Sequence, residues 1–201
     1  MTECEICCIF AEYNIKNHCI EIVINIVTMQ TEETSVSDVN SRLCKPNYYK
    51  GTLCEFANDI LTKGRGGGTV CRVCDIATTI LNDMKTRGVE LLSKDVVVTQ
   101  RQIFKYRNHP KTRKGANIPI EDYGVIEAAL KNPTHIYEDT VQKRLVYVYS
   151  YPYQGNRLVK VVVEPNFKNQ GVVVNLAKSW GIVQCENMRG GQYRLIRSSR
   201  R

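Results

Sequence analysis

Strand follows strand between residues 135 and 175, and a chain patterned in this way has to build a sheet. Residues 135–137, 145–153, 158–164 and 171–175 read as strands, and Gln154-Gly155-Asn156 supplies a hairpin turn between the second and third. An isolated hairpin is barely stable in water, so these strands need each other and an apolar cover. Helical spacing lies mainly upstream. Residues 119–130 read as a helix closed by Lys131-Asn132-Pro133, and residues 100–108 as a helix that Pro110 stops at or before His109. A strand at 96–99 precedes them, a short amphipathic piece follows at 177–182, and no internal repeat is visible. At 22.9 kDa the chain is long enough for one domain with an appended module, and it needs no disulfides to hold a core.

The first 75 residues have a different character. Eight of the nine cysteines lie there, with Cys185 the exception. Residues 20–26 alternate in the manner of a strand, and residues 30–42 are Thr-, Glu-, Ser- and Asp-rich and read as a linker. A short helical pattern runs near 53–61, and apolar spacing suits a further helix from 75 to about 93 despite Gly88. The Gly-rich stretch 64–68 lacks the Gly-Lys-Ser/Thr ending of a phosphate loop and reads as a hinge. Cys4-x-x-Cys7 and Cys71-x-x-Cys74 have the spacing by which two tight turns chelate one structural Zn²⁺, with Cys44, Cys54, Cys19 and His18 as alternative ligands. Reduced thiols packed as small apolar side chains are the competing reading. The odd cysteine count, with no signal-peptide pattern, argues against a disulfide framework. It predicts a cytoplasmic protein, in the host cytoplasm if a phage encodes it. No apolar run approaches 18 residues, so no membrane partner is expected.

Charge divides the chain in the same place. Residues 1–40 hold seven acids and one base, whereas the remaining 161 residues hold 27 bases and 13 acids, a net of +14. A basic body of this kind points to a polyanion, RNA or another nucleic acid first among them. The densest basic stretch has no acid between Gln100 and Ile120. In it Arg101, Lys105, Arg107, Lys111, Arg113 and Lys114 surround His109, with Phe104 and Tyr106 interleaved. Cationic neighbours hold an imidazole neutral and able to act as a base, and a bound phosphate reverses that bias. A second basic run follows Met188 and includes Arg189 and Arg194.

Arg107-Asn108-His109-Pro110, the phrase Asn132-Pro133-Thr134-His135-Ile136-Tyr137-Glu138-Asp139, and the strands around 145–149, 159–163 and 172–175 occur in an order that resembles the phage-encoded barnase/EndoU/colicin/RelE-like (BECR) nucleases. The resemblance covers about residues 94–185. It implies an α+β fold, an antiparallel β-sheet meander packed against N-terminal helices, with a Cys-rich N-terminal module ahead of it. The domains expected are the Cys-rich module at 1–75, a nuclease domain at 76–187 and a basic tail at 188–201.

The activity implied is RNA cleavage that needs no metal or other cofactor for catalysis. A base takes the 2′-hydroxyl proton, that oxygen attacks the adjacent phosphorus, and an acid protonates the leaving 5′-oxygen. His109 matches the family's helix-end histidine, and Lys105 and Arg107 are the nearest candidates for phosphate contacts. The family often places Ser or Thr on the last strand. Asn175 stands there instead, and it can donate a hydrogen bond but cannot shuttle a proton. Tyr153, in a cluster with Tyr149 and Tyr151, offers a hydroxyl or a stacking face. Arg101, Lys111, Arg113, Lys114, Arg189 and Arg194 are the expected nucleic-acid contacts. The alternative is a nucleic-acid- or protein-binding inhibitor without turnover on the same fold, such as a phage anti-defence protein, and an inhibitor or a host defence protein is the other partner to expect. A zinc-ribbon transcription factor is a third reading, weakened by the lack of any helix-turn-helix or finger pattern.

Overall fold

A computed structural model describes residues 46–64, 70–107, 116–150 and 155–198. Helix α1 (Leu53–Lys63) opens the described fold. Its first turn is closed by a capping box, in which the Thr52 hydroxyl accepts from the Glu55 amide and the Glu55 carboxylate accepts from the Thr52 amide. Its last turn ends on Gly64 at φ +75°, a left-handed conformation that glycine takes without strain. Strand β1 (Val70–Asp75) and helix α2 (Thr78–Thr86) follow, then β2 (Asp95–Thr99) running directly into α3 (Gln100–Arg107). A 3₁₀ turn (Ile120–Asp122) leads into α4 (Tyr123–Lys131). Strands β3 (His135–Asp139), β4 (Arg144–Ser150), β5 (Arg157–Asn169) and β6 (Val172–Gln184) come next. A second 3₁₀ turn (Cys185–Met188) and β7 (Tyr193–Ser198) complete the series.

The seven strands form one sheet in the order β1-β2-β6-β5-β4-β3-β7. The fold is therefore mixed α+β, with the helices packed on the sheet. The meander expected from sequence is present in β3 to β6, each strand antiparallel to the next. The wholly antiparallel sheet is not, because β2 pairs with β6 in parallel through Val96–Asn175 and Val97–Leu176. A parallel neighbour requires a crossover, and α3, α4 and the β3–β5 meander together provide it. One sheet face meets the helices in the main core. There Phe56, Ile60, Met84, Ile103 and Ile126 pack on Val96, Val98, Tyr147, Val161 and Trp180. The opposite face carries two smaller apolar groups, one around Val97 and Val174 and one around Val146, Val148 and Met188.

Several expected boundaries move, each for a local reason. The helix expected over 75–93 shortens to nine residues, because Asp75 belongs to β1 and Gly88 at φ +78° turns the chain out of α2. The strand at 171–175 and the amphipathic piece at 177–182 are one strand, β6, whose alternation is masked by a register shift opposite Val162 and Val163. The segment read as a basic tail contains β7, an edge strand on β3. Cys71 and Cys74 sit within strand β1, not on a tight turn.

Candidate nucleic-acid interface

Strand β2 delivers α3 to the margin of the sheet, and the apolar spacing of that helix decides what it presents. Gln102, Ile103 and Tyr106 are buried, which turns Arg101, Phe104, Lys105 and Arg107 to the outside. Residues 101, 104 and 105 share one helical face by their i, i+3 and i+4 spacing. Among the described residues no carboxylate forms an ion pair with Arg101, Lys105 or Arg107.

This helical face borders two adjoining concavities of about 550 and 350 Å³ that share Thr99, Arg101 and Phe167. The larger lies beside Phe104 and Gln170, the smaller beside Lys105, Glu164 and Lys178. Glu164, the acid in the groove, is paired with Lys178 and, at 3.8 Å, with Arg144. The groove therefore combines an excess of guanidinium and ammonium groups with Phe104, which is 45% exposed, and the half-buried ring of Phe167. Cations can take phosphate oxygens there while the rings offer flat faces to bases.

The position of Phe167 has an identifiable cause. Strand β5 breaks register between Glu164 and Phe167, and Asn166 takes φ +54° within that bulge. Asn166 is tied on both sides. Its Oδ1 accepts from the Leu92 amide at 2.8 Å, and its Nδ2 donates to the Glu90 carbonyl at 2.7 Å. Asn175, fully buried in β6, completes the node. Its Oδ1 accepts from the Asn166 amide at 3.3 Å, and its Nδ2 donates to the carbonyls of Ser93 at 2.7 Å and Asp95 at 3.2 Å. The amide of Asn175 is thus spent on backbone groups and is closed to a substrate. It positions the bulge that aims Phe167. Asn175→Ala is expected to lower unfolding free energy by about 1–3 kcal/mol, because it strands buried backbone groups. A denaturant titration checks this.

Beyond its pairing with β2, strand β6 has no strand neighbour on that side among the described residues, and α3 and Ala116 bond to it there. The Trp180 amide donates to the Tyr106 hydroxyl at 3.3 Å, and the Ile182 amide donates to the Ala116 carbonyl at 2.9 Å. Tyr106 and Ala116, on either side of the basic segment, are therefore both bonded to the same stretch of β6. His109, Lys111, Arg113 and Lys114 lie outside the described residues, as do Tyr153, Cys4 and Cys7.

The structure brings Arg101 and Lys105 together with Arg107 on one helix and places Arg189 and Arg194 on other elements. Arg189 is exposed after the second 3₁₀ turn. Arg194, on the far edge of the sheet, is bound to the buried carboxylate of Glu138, which Arg87 and Lys143 also approach at 3.7 Å. Sequence reasoning missed Phe167, Gln170 and Lys178. Only the pairing of β5 with β6 brings them to α3, and nothing local in the sequence announces that pairing.

Cys71 is buried in the main core and Cys74 packs against it, the register shift between Arg72 and Cys74 placing both on that side. Cys74 Sγ points to the Leu130 carbonyl at 3.8 Å, and Cys54 Sγ to that of Ile120 at 3.6 Å. Burial pushes the Cys71 and Cys74 thiols up to about 12. Among the described residues no group of three His, Cys, Asp or Glu side chains is gathered for a metal. The described donors therefore do not amount to a tetrahedral zinc site, and their surroundings suit packed thiols.

Comparison with protein-family models, with curated proteins and with solved structures finds no match. No described helix is long and apolar enough to cross a membrane.

Proposed function

We propose that the chain binds single-stranded RNA along the α3 groove and cleaves it with His109, which follows Arg107 by two residues. The observation that carries the reading is the outer face of α3. Its cations Arg101 and Lys105 are unpaired with acid among the described residues and line the groove with Phe104 and Phe167. In the reaction neutral His109 accepts the 2′-hydroxyl proton and the 2′-oxygen bonds to phosphorus. The bond from phosphorus to the 5′-oxygen then breaks, and the leaving oxygen takes up a proton. Lys105 and Arg107 hold the non-bridging oxygens while charge accumulates on them. The nucleophile belongs to the substrate, so the scheme requires no metal hydroxide. The products are a 2′,3′-cyclic phosphate and a 5′-hydroxyl.

The test is an RNA cleaved in excess chelator, with the termini identified. Substituting deoxyribose at the cut should abolish cleavage and leave binding in place. Cleavage of DNA at the same rate as RNA overturns the scheme. Binding should weaken steeply with salt, as counterions are released on phosphate contact. Arg101→Ala and Lys105→Ala should each make that dependence shallower by about one in the log–log slope.

A second reading, binding without turnover, is favoured by the enclosed position of Asn175, which leaves the last strand without the hydroxyl the nuclease family often has there. On that reading the protein occupies RNA or a nucleic-acid-processing partner and leaves it intact. The chelator experiment separates the two.

A further inference from the structure

We propose that the sheet face turned away from the helices continues the α3 groove as a stacking platform for single-stranded RNA, with Tyr137, Tyr193, His135 and Lys160 as its working residues. The inference rests on the RNA-binding reading above and adds to it a second, separable set of contacts.

Register places these residues together. Tyr137 lies opposite Val146 on β4 and Leu195 on β7, Val146 opposite Val162 on β5, and Val162 opposite Ser179 on β6, a row running across five strands. Cross-strand partners share a face, and this row belongs to the side away from the helices. On that side the rings of His135 and Tyr137 stack with centroids 5.9 Å apart, and Tyr193 meets Tyr137 edge-on at 6.5 Å. Lys160 Nζ donates to the Tyr193 hydroxyl at 2.6 Å and lies 4.5 Å from the centre of its ring. All four side chains are half-buried, and Leu195 beside them is 49% exposed. The 3₁₀ turn ending in Met188 covers Val146 and Val148 but leaves the rings reachable.

Charge on this face selects the occupant. Along β4, β5 and β6, Lys160, Arg144 and Lys178 accompany Glu164, which already pairs with two of them, and the exposed Glu186 and Arg189 lie in and directly after the 3₁₀ turn. Asp139 is nine-tenths buried and accepts from the amides of Val141 and Gln142 in its own turn. Flat rings set among surplus cations suit exposed bases joined by phosphates, and a duplex would hide the base faces. The platform also joins the groove. Glu164 and Lys178 line the groove, and the next residues along β5 and β6, Val162 and Ser179, line a hollow of about 140 Å³ with Lys160. From β6 to β7 is four strand spacings, roughly 19 Å, which extends the path well beyond the groove itself.

The experiment uses the full chain carrying His109→Ala, so that substrate stays intact, and compares fluorescent oligouridylates of 4 and 12 nucleotides. The groove accommodates the short one, and the long one reaches the platform. Tyr137→Leu and Tyr193→Leu should each weaken binding of the 12-mer about tenfold and leave the 4-mer within twofold, whereas Tyr193→Phe, which keeps the ring, should bind as the parent does. A second arm needs no altered tyrosine. Removing the bases from one half of the 12-mer, tested for each half in turn, should for one half reduce its affinity to that of the tyrosine variants. If the 4-mer binds, while the 12-mer is indifferent both to the tyrosines and to its bases, the platform is overturned and the groove stands. If neither oligonucleotide binds, the RNA reading and the platform fall together.

Discussion

His109→Ala is expected to slow RNA cleavage by about 10²–10⁴-fold while RNA affinity changes little, the usual worth of one positioned acid or base. The separation of the two effects follows from where charge resides. On the proposed reading binding rests on Arg101, Lys105 and Lys178 around the groove, none of which the substitution touches. The rate depends on a proton leaving the 2′-oxygen as the new bond to phosphorus forms. Lys105→Ala and Arg107→Ala should lose less rate each, because either leaves the other to hold the phosphate oxygens. The measurement is single-turnover cleavage of a labelled RNA in excess chelator. A His109→Ala protein that cuts at the parent rate removes His109 from the chemistry, and a parent protein that binds without cutting establishes the second reading.

Trp180→Ala should be the most destabilising single change at the centre of the fold, by about 3–5 kcal/mol, or a fall in Tm of roughly 6–20 °C for a chain of this size. Trp180 is 1% exposed and joins three elements at once. Its ring stacks on Tyr106 of α3 at 4.3 Å and meets Tyr123 of α4 edge-on at 5.7 Å, while its backbone amide holds the Tyr106 hydroxyl. Truncation leaves a cavity under α3, the helix that carries the cationic face. Trp180→Phe should recover part of the loss by restoring one aromatic contact. Thermal melting of the three proteins gives the order, and RNA affinity should fall in step with the loss of α3 packing.

Local pattern carried a good part of the architecture. The strands at residues 135, 145 and 158 and the helices before residues 108 and 131 all start within two residues or so of the expected places, apart from the 3₁₀ entry to α4, since periodicity and proline signals act over a few residues. Features set by distant partners were not legible. Nothing near Val96 says that it will lie parallel to Asn175, and nothing near Phe167 says that a bulge fixed by Asn166 and Asn175 will aim it at α3. The pair Cys71 and Cys74 shows the converse hazard. Two residues between cysteines suit a tight turn in sequence, yet pairing with β2 from Val70 to Asp75 makes the same segment a strand. The cationic face of α3 was legible because charge without nearby acid is a property of the sequence alone.

The parallel β2–β6 pairing also sets an order for how the chain reaches this structure. The β1–β2 pair and the successive strands from β3 to β6 close over short stretches of chain, so each can form early at modest entropic cost. The two blocks join where Val96 meets Asn175, about 80 residues apart in sequence, and such long-range pairings are the slow ones. Until that junction closes, β6 lacks its β2 neighbour, Asn175 has no Ser93 or Asp95 carbonyl to hold, and Phe167 has no groove to line. The groove is thus assembled late, and a newly made chain would carry most of its sheet before the proposed RNA-binding surface exists.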